Sequence, residues 1–469
     1  MARQMMVTCS CGVHSDTPHR QMCHYRLHQN QPNFQFTCPE ENCNRIFENI
    51  LLQAEERTKQ NYTACVESLK NDNLPNYLGV QFDSPFNVMK SFHVCGPGLP
   101  PCLAHDLFEG VVSYDLHLFL MFFIRSKKWF SIDLLNKRIH DFKYKGKDSF
   151  DKPTKVKGNY TSEKLSGHAV QNWNFLRLLP VIIVDKIEDY TDEVWQTVLT
   201  LREVVELVCA PKISKKQLQY LQDLIHIYLQ SRQRLFPNKR IRPKHHYLLH
   251  YPRLITQFGP LMKVWTLRYE SKHKYFTRVS SSAKNFKNPT KTLSTRHQFL
   301  QAAYSAGQIF APEVVAKKAL KFSVELYSEA LSQAFKSCKD LETSTNVDIC
   351  YEVNLYGTDY VKGQLLVTSC SGKSLEVGEL ICIFLTNLHH SNVEKTSVYF
   401  VLKPNGCLYD AALGCYKLDT KIVDEDLGAC KYNIVLAKNV TDYYPLQTYS
   451  FNGSPYIVLK HAIMCPSTE

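Results

Sequence analysis

Apolar residues recur at three- and four-residue spacing over much of the chain between about residues 49 and 345. DEVWQTVLTLREVVELV (192–208), KKQLQYLQDLIHIYLQSRQRLF (215–236) and EVVAKKALKFSVELYSEALSQAF (313–335) each follow this pattern, which predicts amphipathic helices. VVSYDLHLFLMFFI, starting at Val111, is 14 residues long and holds Asp115 and His117, so it reads as a buried helix, too short and too polar to span a bilayer. RLLPVIIVDKI (177–187) holds a short β-branched run that suits a strand or a buried helix end. After about residue 346 the pattern changes. GQLLVTS, LICIFL, SVYFVL and YIVLK are short β-rich runs separated by turn residues at hairpin spacing. The fold expected is therefore mainly α, followed by a small all-β domain, with boundaries at 1–48, 49–345 and 346–469.

The first 48 residues lack periodic hydrophobics and carry Cys9, Cys11, Cys38 and Cys43 among several histidines. Such a segment buries too little apolar surface to fold alone, and a bound metal is a plausible substitute for a core. No apolar stretch near the start resembles a secretory signal, and the 17 cysteines are an odd number. Free thiols or metal ligands are expected, in a reducing compartment: the nucleus or, alternatively, the cytoplasm. An apolar fraction of 44 % is ordinary for a globular protein and gives no sign of a membrane partner.

Charge is distributed unevenly. From Arg232 to Arg296 there are 16 Lys and Arg against one acid, Glu270, while the whole chain carries a net +12. Arg242, Lys244, Arg253, Lys263, Arg268, Lys272, Lys274 and Arg278, interleaved with aromatic residues, form a candidate nucleic-acid surface. Glu270 is then either a surface ion-pair partner or a carboxylate that holds Mg2+ near a phosphate. KHHYLLH places His246 and His250 four apart and His245 and His250 five apart, and either pair has the spacing of two zinc ligands. The alternative is that these rings bond to backbone at a helix end. GPGLPPCLAHDLFEGVV (96–112) brings Cys102, His105 and Asp106 close in sequence, as a shared site, a nucleophile set or simple helix-start capping.

As a set, these stretches resemble a known family. SPFNVMKSFHVCGPGLPPCLAHDLFEGVVSYDL, KLSGHAVQNWNFLRLLP, RPKHHYLLHYPRLITQFGPLMKVWTLRYESKHKYF and KNFKNPTKTL are similar to animal transposases of the CACTA/Mirage/Chapaev group, over roughly residues 45 to 310. The same superfamily includes the catalytic subunit of the V(D)J recombinase. The resemblance implies an RNase H-like core with a DDE triad and two Mg2+ ions, interrupted by a helical insertion clamped by Zn2+. On that reading this chain holds the insertion and the last part of the core. His245 or His246 with His250 and a cysteine pair would hold zinc, Glu270 would be the last member of the triad, and Cys102 and His105 would match a Cys-x2-His string. No aspartate stands before Cys9, where the resemblance places the two catalytic aspartates. The chain is therefore expected to be an N-terminally incomplete or domesticated relative that binds DNA, without strand transfer, as a nuclear protein and a homodimer. The alternative is a protein-interaction role with no nucleic acid.

Overall fold

The apolar run from Val111 becomes the middle of helix α2 (Ala104–Lys127), which is wound in π-type turns at both ends. By length and composition α2 could cross a bilayer, but 72 % of its most apolar window is buried inside the protein. Asp115 on this helix is 0 % exposed. A charge there requires partners, and they are described with the site below. The computed structural model describes residues 58–464, apart from 74, 76, 78–79, 99, 159–162, 285, 308–311, 343, 345, 372, 388–395, 420–431 and 452. The Cys/His-rich segment with Cys9, Cys11, Cys38 and Cys43 lies outside the described residues.

Helix α1 (Lys59–Asn71) precedes α2. It is followed by α3 (Ile132–Asp141), α4 (Ala169–Ile183), α5 (Glu193–Val208) and α6 (Lys215–Leu235). The β-branched run at 177–187 is the end of α4, so the helix alternative holds there. Local chemistry sets the ends of these helices. Asp192 Oδ1 accepts from the Val194 and Trp195 N–H groups to start α5. Ser214 and Gln217 exchange hydrogen bonds to start α6, forming a capping box. Short helices α7 (Pro243–Leu248) and α8 (Tyr251–Phe258) then lead to α9 (Leu267–Ala283) and α10 (Pro289–Ser305).

Strands begin earlier than the sequence pattern suggested. β1 (Val314–Lys317) and β2 (Leu320–Lys321) occupy the start of the 313–335 stretch, and only its end forms a helix, α11 (Glu329–Ser337). Val314 and Val315 favour extended backbone, and Lys318 at φ 52 breaks any helix through this point. Next come β3 (Val347–Cys350), β4 (Glu352–Leu355), β5 (Thr358–Val361), β6 (Leu365–Ser371), β7 (Ser374–Thr386) and β8 (Ser397–Asp410). The last four are β9 (Cys415–Asp419), β10 (Asn433–Leu436), β11 (Thr448–Phe451) and β12 (Ser454–Ile457). One antiparallel sheet runs β1-β4-β5. The larger runs β11-β12-β9-β8-β7-β3-β2, with β6 on β7 and β10 on β8.

The expectation of a mainly α fold is overturned. The described residues are about 50 % helix and 19 % strand with two antiparallel sheets, a mixed α/β fold. The physical reason lies in how the two parts pack. Leu413, Cys415, Tyr449, Tyr456 and Val458 from the strand-rich part belong to the same hydrophobic cluster as α2, α4, α5 and α6. Trp195 on α5, fully buried, donates its indole N–H to the Ala412 carbonyl at 2.8 Å. Arg177 on α4 pairs with Asp148, which also accepts from the Tyr449 hydroxyl, and Arg177 reaches the Val458 carbonyl as well. The strands supply part of the wall of the helical core.

Candidate functional site: the root of a basic hairpin

Three groups far apart in sequence meet where α9 begins. The Thr266 carbonyl accepts from the Tyr269 and Glu270 N–H groups and so opens the helix. Its hydroxyl donates to Glu270 Oε1 at 3.0 Å. An acid in the first turn also lies near the positive end of the helix dipole, which gives a solitary carboxylate in a basic stretch a structural reason. Across from it, the Cys102 carbonyl accepts from the His105 and Asp106 N–H groups at the start of α2. Cys102 Sγ accepts from the Thr266 N–H at 3.3 Å and lies 2.9 Å from Thr266 Oγ1. His105 turns Nδ1 to Thr266 Oγ1 at 3.3 Å and Nε2 to Glu270 Oε1 at 3.6 Å. Cys102, His105 and Glu270 therefore form one cluster around the Thr266 hydroxyl. Nothing in the sequence singled out Thr266; its spacing of four residues from Glu270 is the one signal that could have found it.

The electrostatics of this cluster agree from both sides. Burial works against a charged Cys102 thiolate, yet the hydrogen bonds from Thr266 and His105 outweigh it and hold the thiol below its ordinary range. Burial likewise opposes a charged His105, but the neighbouring Cys102, Glu270 and Glu109 raise it above the ordinary imidazole range. Asp106 takes no part. It is buried, burial pushes its carboxyl up, and Lys244 offsets that only in part. The Lys244 ammonium donates to the His105 carbonyl at 2.6 Å, and its stem crosses Gly110 so closely that a Cβ there would stand 2.4 Å from Cδ.

The three histidines separate. His245 is 1 % exposed and fully engaged: Nδ1 accepts from the Arg242 N–H at 3.2 Å and Nε2 meets Asp115 Oδ2 at 2.8 Å. Tyr228 donates its hydroxyl to the same carboxylate, and Arg232 Nε donates to Oδ1 at 3.3 Å. These are the partners that the buried Asp115 requires. Burial alone would raise the Asp115 carboxyl, but His245 and Arg232 together hold it well below the usual range. His246 and His250 instead face each other edge to face, with their Nε2 atoms 3.1 Å apart. Burial lowers both, and His250 comes down to about 4, with the His246 and Arg253 charges adding to the effect.

The candidate nucleic-acid residues divide in the same way. Arg242 stacks 3.6 Å above the Tyr114 ring and pairs with Glu163 at 2.6 Å, and Lys244 is held at His105. Arg253 lies on α8 and Lys263 in the turn Leu261–Lys263, both exposed. Arg268, Lys272, Lys274 and Arg278 lie on α9, which continues into α10 with Lys291 and Arg296. Neither α9 nor α10 has a single buried residue. The two are joined by ring contacts of Tyr275 and Phe276 with His297, and by Lys272 Nζ at 3.2 Å from His297 Nε2.

No family model, curated protein or solved structure matches the chain. The functional reading therefore rests on the site itself. Among the described residues no group of three or more His, Cys, Asp or Glu is arranged to hold a metal ion. Around Glu270 the neighbours are a thiol, an imidazole and a hydroxyl, which do not fit the all-oxygen shell that Mg2+ takes. The donors of His246 and His250 do fit zinc as two of its four ligands, being neutral imidazoles with converging nitrogens.

Proposed function

We propose that this chain is a DNA-binding protein of transposase-like descent, and that the α9–α10 hairpin is the element that contacts the duplex. The observation that carries the reading is the hairpin itself: two 17-residue helices, none of whose side chains is buried, bearing basic residues along their length against the single acid Glu270. A helix pair that packs no face into a core is stabilised elsewhere, and a strongly cationic one suits a polyanion. Tyr269, Phe286 and Phe299 are each about 70 % exposed (68 %, 70 % and 71 %) and offer flat surfaces beside the charges. The sequence resemblance to CACTA-type transposases supports the same ligand. Binding rather than strand transfer is assigned, because the groups around Glu270 offer no magnesium shell. Action in the nucleus and pairing into a homodimer belong to the proposal through the resemblance.

In this reading the hairpin neutralises phosphates and releases their counterions, so affinity is set by charge more than by base sequence. Zinc, held by His246 and His250 with two further ligands, would supply a cross-link that steadies the α7–α8 corner beneath the hairpin. The test is duplex affinity as a function of salt. Log affinity is expected to fall linearly with log salt, and alanine at Lys274 and at Arg278 should each reduce the slope by about one phosphate's worth. A salt-independent affinity, or one unchanged by both substitutions, would remove the reading.

A further inference from the structure

The cluster at the hairpin root is more than a fastening. We propose that Cys102 is a nucleophilic thiolate, served by His105 and positioned by Glu270, and that hydroperoxides oxidise it to a sulfenic acid. The geometry has three parts. The sulfur stands at the start of the 24-residue helix α2, whose first N–H groups, those of His105 and Asp106, bond to the Cys102 carbonyl. It accepts directly from the Thr266 N–H and touches the Thr266 hydroxyl. The imidazole next to it turns Nδ1 to the Thr266 hydroxyl, which the sulfur also touches, and Nε2 to the Glu270 carboxylate, so that thiol, hydroxyl, base and carboxylate stand in one chain. The site is also open, since the His105 and Glu270 side chains are 43 % and 47 % exposed.

The surroundings on every packed element favour the ion pair or leave it intact. From α2 itself come His105, Asp106 and Glu109; from α9 Glu270; from α7 Lys244; and from α8 the neutral phenol of Tyr251. Four buried cysteines provide the contrast. Burial pushes the Cys350 thiol up to about 11 and those of Cys382, Cys407 and Cys415 up to about 12. Those sulfurs remain thiols and react slowly.

The step balances with peroxide as the oxidant. The thiolate attacks one peroxide oxygen; the S–O bond forms and the O–O bond breaks. The sulfur is oxidised by two electrons, and the two peroxide oxygens are reduced. The departing hydroxide takes the proton from the His105 imidazolium and leaves as water. The added oxygen occupies the space next to Thr266, so the contact that ties α9 to α2 is lost.

The experiment exposes the reduced full-length chain to hydrogen peroxide, traps sulfenic acid with dimedone, and follows each cysteine by peptide mass spectrometry across pH. Cys95 and Cys338, also partly exposed, are the internal references, and buried Cys209 reports any unfolding. Cys102 is expected to trap at least about tenfold faster than the references and to keep reacting at lower pH than they do. His105→Gln should remove that advantage and move the pH profile upward while Cys209 stays unlabelled. If His105→Gln exposes Cys209, Glu270→Gln replaces it, with a smaller loss of rate and the same upward shift. Equal trapping of Cys102 and the references, or a profile unmoved by the folded variants, overturns the proposal. These readouts contain no DNA, so the inference stands or falls separately from the DNA-binding reading.

Discussion

At the residue scale, the histidine cluster shows how spacing and chemistry part company. KHHYLLH allowed two zinc pairs, and nothing local chose between them. Asp115, some 130 residues earlier, made the choice by engaging His245 at 2.8 Å and leaving His246 and His250 to face each other. Removing one partner from a buried charge cluster strands the other, so His245→Ala should cost roughly 3–5 kcal/mol of stability in denaturant titration. His250→Ala should cost far less stability but lower the zinc content of the purified chain; zinc unaffected by that change would put the metal elsewhere. The pH dependence follows from the Asp115 carboxyl, which is depressed in the folded state. Its contribution is complete above the ordinary aspartate pKa of about 3.9 and is lost as pH falls below that value toward the depressed one. His245→Ala should therefore lose much of this acid sensitivity.

At the element scale, α9 and α10 differ from every helix around them. α5 and α6 were legible because their apolar stripes meet a core, and their caps are local chemistry. The basic stretch was legible as charge alone. That it stands out as a hairpin with no buried face was not, because sequence does not show which apolar residues find partners. Tyr269, one of the aromatic residues interleaved with the basic ones, is exposed, and so is Phe299. Replacing residues 267–305 by a flexible linker is expected to move the melting temperature by only a few degrees, since little apolar area leaves the core. The same change should abolish duplex binding. A large loss of stability would show that the hairpin belongs to the folding unit.

At the scale of the whole molecule, the strand-rich part and the helices share one core. Leu413, Tyr449 and Val458 pack with α2, α4 and α5, and the Ala462 N–H donates to the Glu206 carbonyl at 2.8 Å. Trp195 connects the two parts through packing and its bond to Ala412, so Trp195→Ala should cost about 3–5 kcal/mol. The helices and strands are expected to lose structure in a single transition, followed by far-UV circular dichroism and by tyrosine fluorescence. Two separated transitions would mean that the parts fold independently.

The sequence by itself determined the helical periods of α5 and α6, the turn-punctuated strands after 346, the basic stretch with its single acid, and the burial of α2. Each of these is a property of neighbours within one or two turns, where side-chain spacing decides which face is apolar. Only the tertiary structure decided that Glu270 meets Cys102 and His105, that Asp115 engages His245, and that the strands complete the helical core. Those contacts join residues 100 to nearly 300 positions apart, and each depends on which surfaces pack together. No local pattern carries that information, because the free energy that selects such a pair comes from the burial of the elements bearing them.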